Sequence, residues 1–257
     1  MESTRLWTNF QLETTADESP TLRLNGTDPL NPLKSAESMH HSGGAASETL
    51  YIYGEAITWV MNHYSGKNPL RVCSVGLGLG YNEILVGLLS FQKQIPLHLE
   101  SYEIDSELIQ TFAAWVSTPP GAAQLPQFRI YDQIFTILCA QLSFNISLTD
   151  FKYFLHNLIE KKHWRLKTEL SVQTIPVDST FHLCLFDAFS QKTSGELWSE
   201  PFLNLFFEKC FDRHFCLLAT YACTGLLTRT LKQNGFRVTK KIGFKNKRDS
   251  TWAERIL

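Results

Sequence analysis

Residues 72–84, VCSVGLGLGYNEI, set an apolar run directly against three glycines at alternate positions, Gly76, Gly78 and Gly80, and then a stretch of helical periodicity. A strand that passes through glycines into a helix brings backbone N–H groups and the positive end of the helix to a ligand, with no side chain between them. The same glycines also suit a tight turn that lets helix and strand pack closely, and the pattern alone leaves both uses open. It does constrain the fold, because a strand that continues into a covering helix belongs to a largely parallel sheet.

The rest of the chain repeats that alternation. Apolar runs at 70–75, 97–104, 144–150, 181–187 and 215–221 read as strands. Helical patterns follow at 82–91, 105–116, 151–161, 196–210 and 223–234, the last closed by Asn234 and Gly235. The segments 236–244 and 250–257 read as two strands joined by a basic loop, which predicts an antiparallel C-terminal edge. The expected fold class is therefore α/β, a mostly parallel Rossmann-like sheet over 67–257. Residues 1–66 are expected to form a small N-terminal extension or lid. Segments 117–143 and 162–180 fit no element and are expected to be insertions at the sheet's edge.

Composition removes several function classes. With 257 residues, 44% hydrophobic and 19% charged, the chain can bury one good core. A net charge of −1 means that any nucleic-acid partner has to be met by a local patch. Six cysteines lie in apolar stretches with no C-x-x-C pair and no histidines at metal-ligand spacing, so they read as reduced core residues and no metal is expected. The N-terminus resembles neither a signal nor a transit peptide, and no stretch approaches the ~18 apolar residues of a membrane span, so a cytoplasmic location is expected.

The dinucleotide fingerprint wants a further glycine where this chain has Tyr81, which disfavours a nicotinamide oxidoreductase. G-x-G-x-G suits a ligand without a pyrophosphate, such as S-adenosyl-L-methionine (SAM). Glu103, at the end of the next strand, is placed to accept hydrogen bonds from ribose hydroxyls, although a strand-end acid can also simply face solvent. Asp150 suits an adenine amino group or a helix N-cap equally well. Asp187 closes the very apolar FHLCLF, which holds an acid at the carboxyl end of a central strand, across the crevice from the glycines. In TKKIGFKNKRD, Lys245, Lys247 and Arg248 surround Phe244, a candidate nucleic-acid contact of phosphate-binding cations and one stacking ring.

Taken in order, these pieces resemble the methyltransferase domain of the MnmC family, bacterial enzymes that make 5-methylaminomethyl-2-thiouridine in tRNA. TADESPTL is similar to that family's T-A-D-G-S-P-T-L, and HHSGGAASETLYIY to its H-S-x-x-G-A-x-x-E-T-x-Y-V-F. VGLGLGYN resembles G-F-G-T-G-L-N, YEID resembles F-E-K-D, and LTD at 148–150 matches L-G-D. LFDAFSQKTSGELW is similar to F-L-D-A-F-A-P-x-x-N-P-E-L-W, and the segment from LATY to KNKRD follows the family's closing motif.

The resemblance implies a class I SAM-dependent methyltransferase without an attached flavin oxidase domain, a separate enzyme then supplying the aminomethyl intermediate. It implies a SAM site of Tyr51, Gly76, Gly78, Gly80, Asn82, Glu103 and Asp150. It implies Asp187 as the catalytic residue facing the amine, with Phe189, Thr220, Tyr221 and Phe244 around it and tRNA as the partner. A transferase acting on a small amine, or a SAM- or RNA-binding module without turnover, are the alternatives. The chain departs from the family at Glu18, where the family has glycine, and at Leu50, where arginine is frequent. SQKTSG replaces the proline-rich loop after FDAF, and RHFCLL lacks the usual P-G-G turn.

Overall fold

The structure, a computed structural model, describes residues 6–25, 37–119, 125–176, 180–246 and 249–256. The chain opens with an antiparallel pair, β1 (Phe10–Thr14) and β2 (Pro20–Leu24), joined by the turn that carries Asp17. A continuous helical stretch follows: α1 (Ala45–Thr49), a π-helical turn (Leu50–Gly54) and α2 (Glu55–His63). Asp17 ties the two parts together. One of its oxygens accepts from the Thr15 and Ser19 hydroxyls, and the other accepts from the Ser47 backbone N–H and hydroxyl in α1. Burial acts to raise its pKa, but the bonds from Ser19, Ser47 and Thr15 outweigh it and hold the carboxyl well below its ordinary value. The TADESP motif is thus a built corner of the N-terminal part.

The main sheet is made by β3 (Leu70–Val75), β4 (Leu97–Tyr102), β5 (Trp164–Lys167), β6 (Leu183–Phe186), β7 (Phe215–Thr220), β8 (Arg237–Lys241) and β9 (Ser250–Ile256). Their order is β5-β4-β3-β6-β7-β9-β8. The first five are mutually parallel, and β9 pairs antiparallel with both β7 and β8, so the antiparallel C-terminal edge is as the sequence predicts. From β3 the chain moves outward to β4 and β5, then returns to the other side of β3 to lay down β6. A crevice opens where that order reverses, beyond the carboxyl ends of β3 and β6.

Six further helices cover the faces: α3 (Tyr81–Lys93), α4 (Ser106–Ser117), α5 (Phe128–Leu142), α6 (Leu148–Glu160), α7 (Glu200–Lys209) and α8 (Gly225–Gln233). Side-chain caps start several of them: Asp105 accepts from the N–H groups of Glu107 and Leu108, Ser199 from Phe202, and Thr224 from Leu227. Gly235, at φ 79°, takes the left-handed position just past α8, the stop read from Asn234-Gly235. One core lies between the sheet and α2 to α6. The other, built on Phe202, Phe206, Phe207, Phe211 and Phe236, lies under α7 and α8.

Three sequence expectations are corrected. Residues 144–150 form no strand; Ser147 accepts a hydrogen bond from the Asp150 N–H and starts α6, so the alternating F-N-I-S-L leads into a helix. The third parallel strand is instead β5, four residues inside the segment taken as an insertion. The other unplaced segment holds α5, whose Tyr131, Ile134 and Leu138 are fully buried.

Candidate active site

A cavity of about 1000 Å³ occupies the crevice, walled by the glycine loop, the ends of β4, β5, β6 and β7, and the N-terminal part. All three loop glycines have positive φ, and each has its own reason. A Cβ on Gly76 would sit 2.5 Å from the Asp187 carbonyl oxygen, so this glycine lets the β3 and β6 ends close on each other. On Gly78 it would meet Met39 Sδ at 2.9 Å at the cavity wall. On Gly80 it would strike the Phe112 ring at 2.2 Å, a contact inside the core. The two uses left open by the sequence are therefore divided along the loop: Gly76 and Gly78 line the cavity, whereas Gly80 lets α3 pack.

Glu103 follows β4 directly. It accepts hydrogen bonds from the Gly78 N–H (3.0 Å) and the Asp105 N–H (2.9 Å), which fixes its carboxylate against the loop, and burial raises its pKa. Across the crevice Asp187 follows β6 and faces the cavity. Its Oδ1 accepts from the Tyr53 hydroxyl at 2.7 Å and its Oδ2 from Asn82 Nδ2 at 3.2 Å. Burial drives the Asp187 carboxyl up to about 8; the Tyr53 bond opposes the rise, the charges of Glu48 and Glu83 add to it, and the Asn82 bond again opposes it. Glu83, fully buried beneath the loop, is pushed by burial to about 7, tempered by the nearby Ser74 hydroxyl.

Several expected site residues lie elsewhere. Tyr51 turns outward, 45% exposed, and donates to the Ile242 carbonyl, because the π-helical turn winds the register so that Tyr53 points inward. Asp150 is exposed on the first turn of α6 and does not reach the cavity; Glu169, just past β5, lines it. Thr220 is buried and accepts from the Ala222 N–H, and Phe244 is buried against His41 and Tyr51. Neither lines the cavity. Lys245 donates to the Gly43 carbonyl at 2.6 Å, which ties the C-terminal loop to the N-terminal part. Lys247 and Arg248 lie outside the described residues. Phe189 and Tyr221 do line the cavity: Tyr221 donates to the Ala188 carbonyl, and Trp198 Nε1 donates to the Phe189 carbonyl.

Sequence reasoning missed Tyr53, Glu48, Glu37 and Glu169, all lining the cavity. With Glu103, Asp105, Asp187 and Glu196 they make its charged lining wholly acidic: among the described residues no lysine or arginine lines it. That donor set fits SAM, which carries a sulfonium and an ammonium, as does the loop at Gly78, where any side chain would intrude. No cluster of metal ligands occurs among the described residues, and no described helix is long and apolar enough to cross a membrane.

Comparison with known proteins agrees with this geometry. Residues 159–256 match a family described as S-adenosyl-L-methionine-dependent methyltransferase. The chain is 25% identical over 218 residues to the tRNA 5-methylaminomethyl-2-thiouridine biosynthesis bifunctional protein MnmC of Hahella chejuensis; the match covers 82% of this chain and 32% of that protein. The chain thus spans about a third of that relative's length. The crystal structure of MNMC2 from Aquifex aeolicus superposes with a TM-score of 0.60 at 20% identity, covering 96% of this chain and 70% of that one. The fold is thus Rossmann-like, and the chain is similar, over residues 159–256, to S-adenosyl-L-methionine-dependent methyltransferases and, over most of its length, to part of MnmC.

Proposed function

We propose that this chain methylates the primary amine of an aminomethyl group on the wobble uridine of tRNA, giving 5-methylaminomethyl(-2-thio)uridine. The observation that carries this reading is the setting of Asp187: a carboxyl poised near 8, facing an acidic cavity directly across from the glycine loop. On this reading Gly76, Gly78 and Glu103 hold SAM, with Glu103 on the ribose, and Glu169 stands where Asp150 was expected. The similarity to MnmC supports tRNA as the substrate.

SAM supplies an electrophilic methyl group on a cationic sulfur. An aliphatic amine of pKa ~10.4 must lose a proton before its lone pair is available, which at neutral pH costs roughly 4–5 kcal/mol. Asp187 is matched to that task, since a general base works best with a pKa near the operating pH. In its ionised form it accepts the proton from the ammonium, and the nitrogen lone pair is freed for the methyl carbon. Tyr53 and Asn82 hold the carboxylate in place. Phe189 and Tyr221 wall the acceptor side and exclude water.

Replacing Asp187 by Ala is expected to lower turnover on tRNA bearing the aminomethyl group about 10³-fold and to leave SAM affinity within about threefold. Label transfer from SAM and calorimetry read the two quantities. Normal turnover by the variant would end the assignment. A small-amine acceptor is the second reading, favoured by the absence of lysine and arginine from the described cavity lining. Label transferred to a small-amine pool and none to tRNA bearing the aminomethyl group would select it.

A further inference from the structure

The cavity is bridged at its mouth by one side chain. Glu37 belongs to a strip that adds onto β2, held by hydrogen bonds from the Leu24 N–H to the Glu37 carbonyl and from the Met39 N–H to the Leu22 carbonyl. Its carboxylate reaches across to the loop after β6. One oxygen accepts from the Ser190 N–H at 3.0 Å; the other accepts from the Ser190 hydroxyl at 3.0 Å and the Thr193 hydroxyl at 2.7 Å. Glu37 and Thr193 both line the cavity. The base of this loop is fixed, because Tyr221 holds the Ala188 carbonyl and Trp198 the Phe189 carbonyl. The clasp therefore ties the strip on β2 to this loop across the cavity lining. The two clasp hydroxyls, Ser190 and Thr193, fall within SQKTSG, the segment between FDAF and ELW.

Among the described residues the donors to Glu37 are neutral, and no lysine or arginine lines the cavity. Opening the clasp strips a carboxylate of three hydrogen bonds. A protonated amine replaces them with N–H donors and supplies the missing countercharge, whereas a neutral or anionic acceptor leaves the carboxylate uncompensated. A second feature of the cavity wall points the same way: Asn82 Oδ1 is buried with no hydrogen-bond partner among the described residues, an acceptor left over after Nδ2 is committed to Asp187.

We infer that Glu37 is the acceptor-selecting residue, a clasp at the cavity mouth that opens for a protonated amine and passes it inward toward Asp187. The inference rests on the reading of the cavity as an amine methylation site. It requires only that the acceptor carry an ammonium group, and holds whether that group is on a tRNA or a small molecule.

The test uses opposite substitutions. Glu37→Gln removes the charge, and Ser190→Ala with Thr193→Ala removes two donors while keeping it. With the amine acceptor, Glu37→Gln is expected to raise KM about tenfold and the double variant to lower it two- to threefold, with kcat unchanged in both. A clasp that only supported the loop would shift KM in the same direction in both variants, and that result overturns the inference. Binding of benzylamine and benzyl alcohol in the presence of S-adenosylhomocysteine supplies a readout independent of tRNA. The wild-type protein is expected to prefer the amine and Glu37→Gln to lose the preference. Absence of a preference in the wild type, or its survival in Glu37→Gln, also overturns the inference. An intact, Glu37-dependent amine preference without tRNA methylation would instead overturn the tRNA reading alone.

Discussion

Glu100 and Asp187 are carboxylates on the same sheet, two strands apart, and they are treated in opposite ways. Glu100, in β4, faces Lys167 at 2.7 Å, Arg165 at 3.5 Å and the Tyr102 hydroxyl at 2.9 Å. Burial would raise its pKa, but Lys167, Tyr102 and Arg165 prevail and lower it. Asp187, just past β6, accepts from a phenol and an amide, and burial carries it to about 8. The first acid is satisfied within the fold. The second has no lysine or arginine partner among the described residues, at the place where, on the proposed reading, two cationic ligands meet.

The largest stability effect is expected on the satisfied side. Glu100→Ala leaves Lys167, itself a third exposed, over Tyr102 without its partner, and should destabilise the protein by about 2–4 kcal/mol. Catalysis is expected to survive at temperatures where the variant stays folded. Denaturant titration alongside methyl transfer checks both halves, and loss of turnover in folded Glu100→Ala would break the division between the two acids.

Asp187 should behave in the opposite sense. A folded pKa above the unfolded value of 3.8 means that the native state binds the extra proton, so this contribution to stability is complete below about pH 4 and is lost as pH rises toward 8. Glu83, raised to about 7, adds to the same loss. Asp187→Asn should therefore stabilise the ligand-free protein at pH 8, by about 2 kcal/mol once cavity water is allowed for, and flatten the fall between pH 5 and 8. Thermal melts across that range test this. A wild-type stability that rises with pH over the same window would contradict the assigned environment.

Tyr53 sharpens the comparison further, since its hydroxyl stabilises the ionised form of Asp187. Tyr53→Phe should push the carboxyl higher still and move the acidic limb of the rate profile up by about one pH unit. Turnover would then fall about tenfold at pH 7 and recover at alkaline pH. A uniform loss at every pH would mean that Tyr53 acts by shaping the cavity instead.

The places of Asp187 and Glu103 at the strand ends lining the cavity were legible in the sequence, the first because an apolar run stops at that acid and the second because its position after the second strand follows from the glycine loop. Gly80 shows the limit of that reasoning: a Cβ there would strike the ring of Phe112, a residue 32 positions away. Tyr51 was placed by the resemblance alone, and a motif position carries no direction for a side chain: within the π-helical turn Tyr51 faces outward and Tyr53 lines the cavity. Asp150 was misread because F-N-I-S-L alternates like a strand, and the real third strand is four residues long with two of them charged. Short edge strands carry little pattern of their own and are defined by the neighbour they pair with, here β4.

The smallest expected effect concerns a third acid, whose cost lies in the backbone. Glu18 sits at φ 64° in the β1–β2 turn, the position where the resembled family has glycine. A side chain in this left-handed region costs roughly 1 kcal/mol, and Glu18 recovers little of it, since the hydrogen bond it receives from Gln133 goes to its backbone carbonyl. Glycine would relieve the strain but would also free the unfolded chain, which offsets part of the gain. Glu18→Gly should therefore stabilise by about 0.5–1 kcal/mol, with KM and kcat unchanged. Denaturant melts and steady-state kinetics measure both. An increase in KM would instead bring the Glu18 carboxylate into acceptor capture beside Glu37, and the division between the two kinds of acid would then extend to the N-terminal turn.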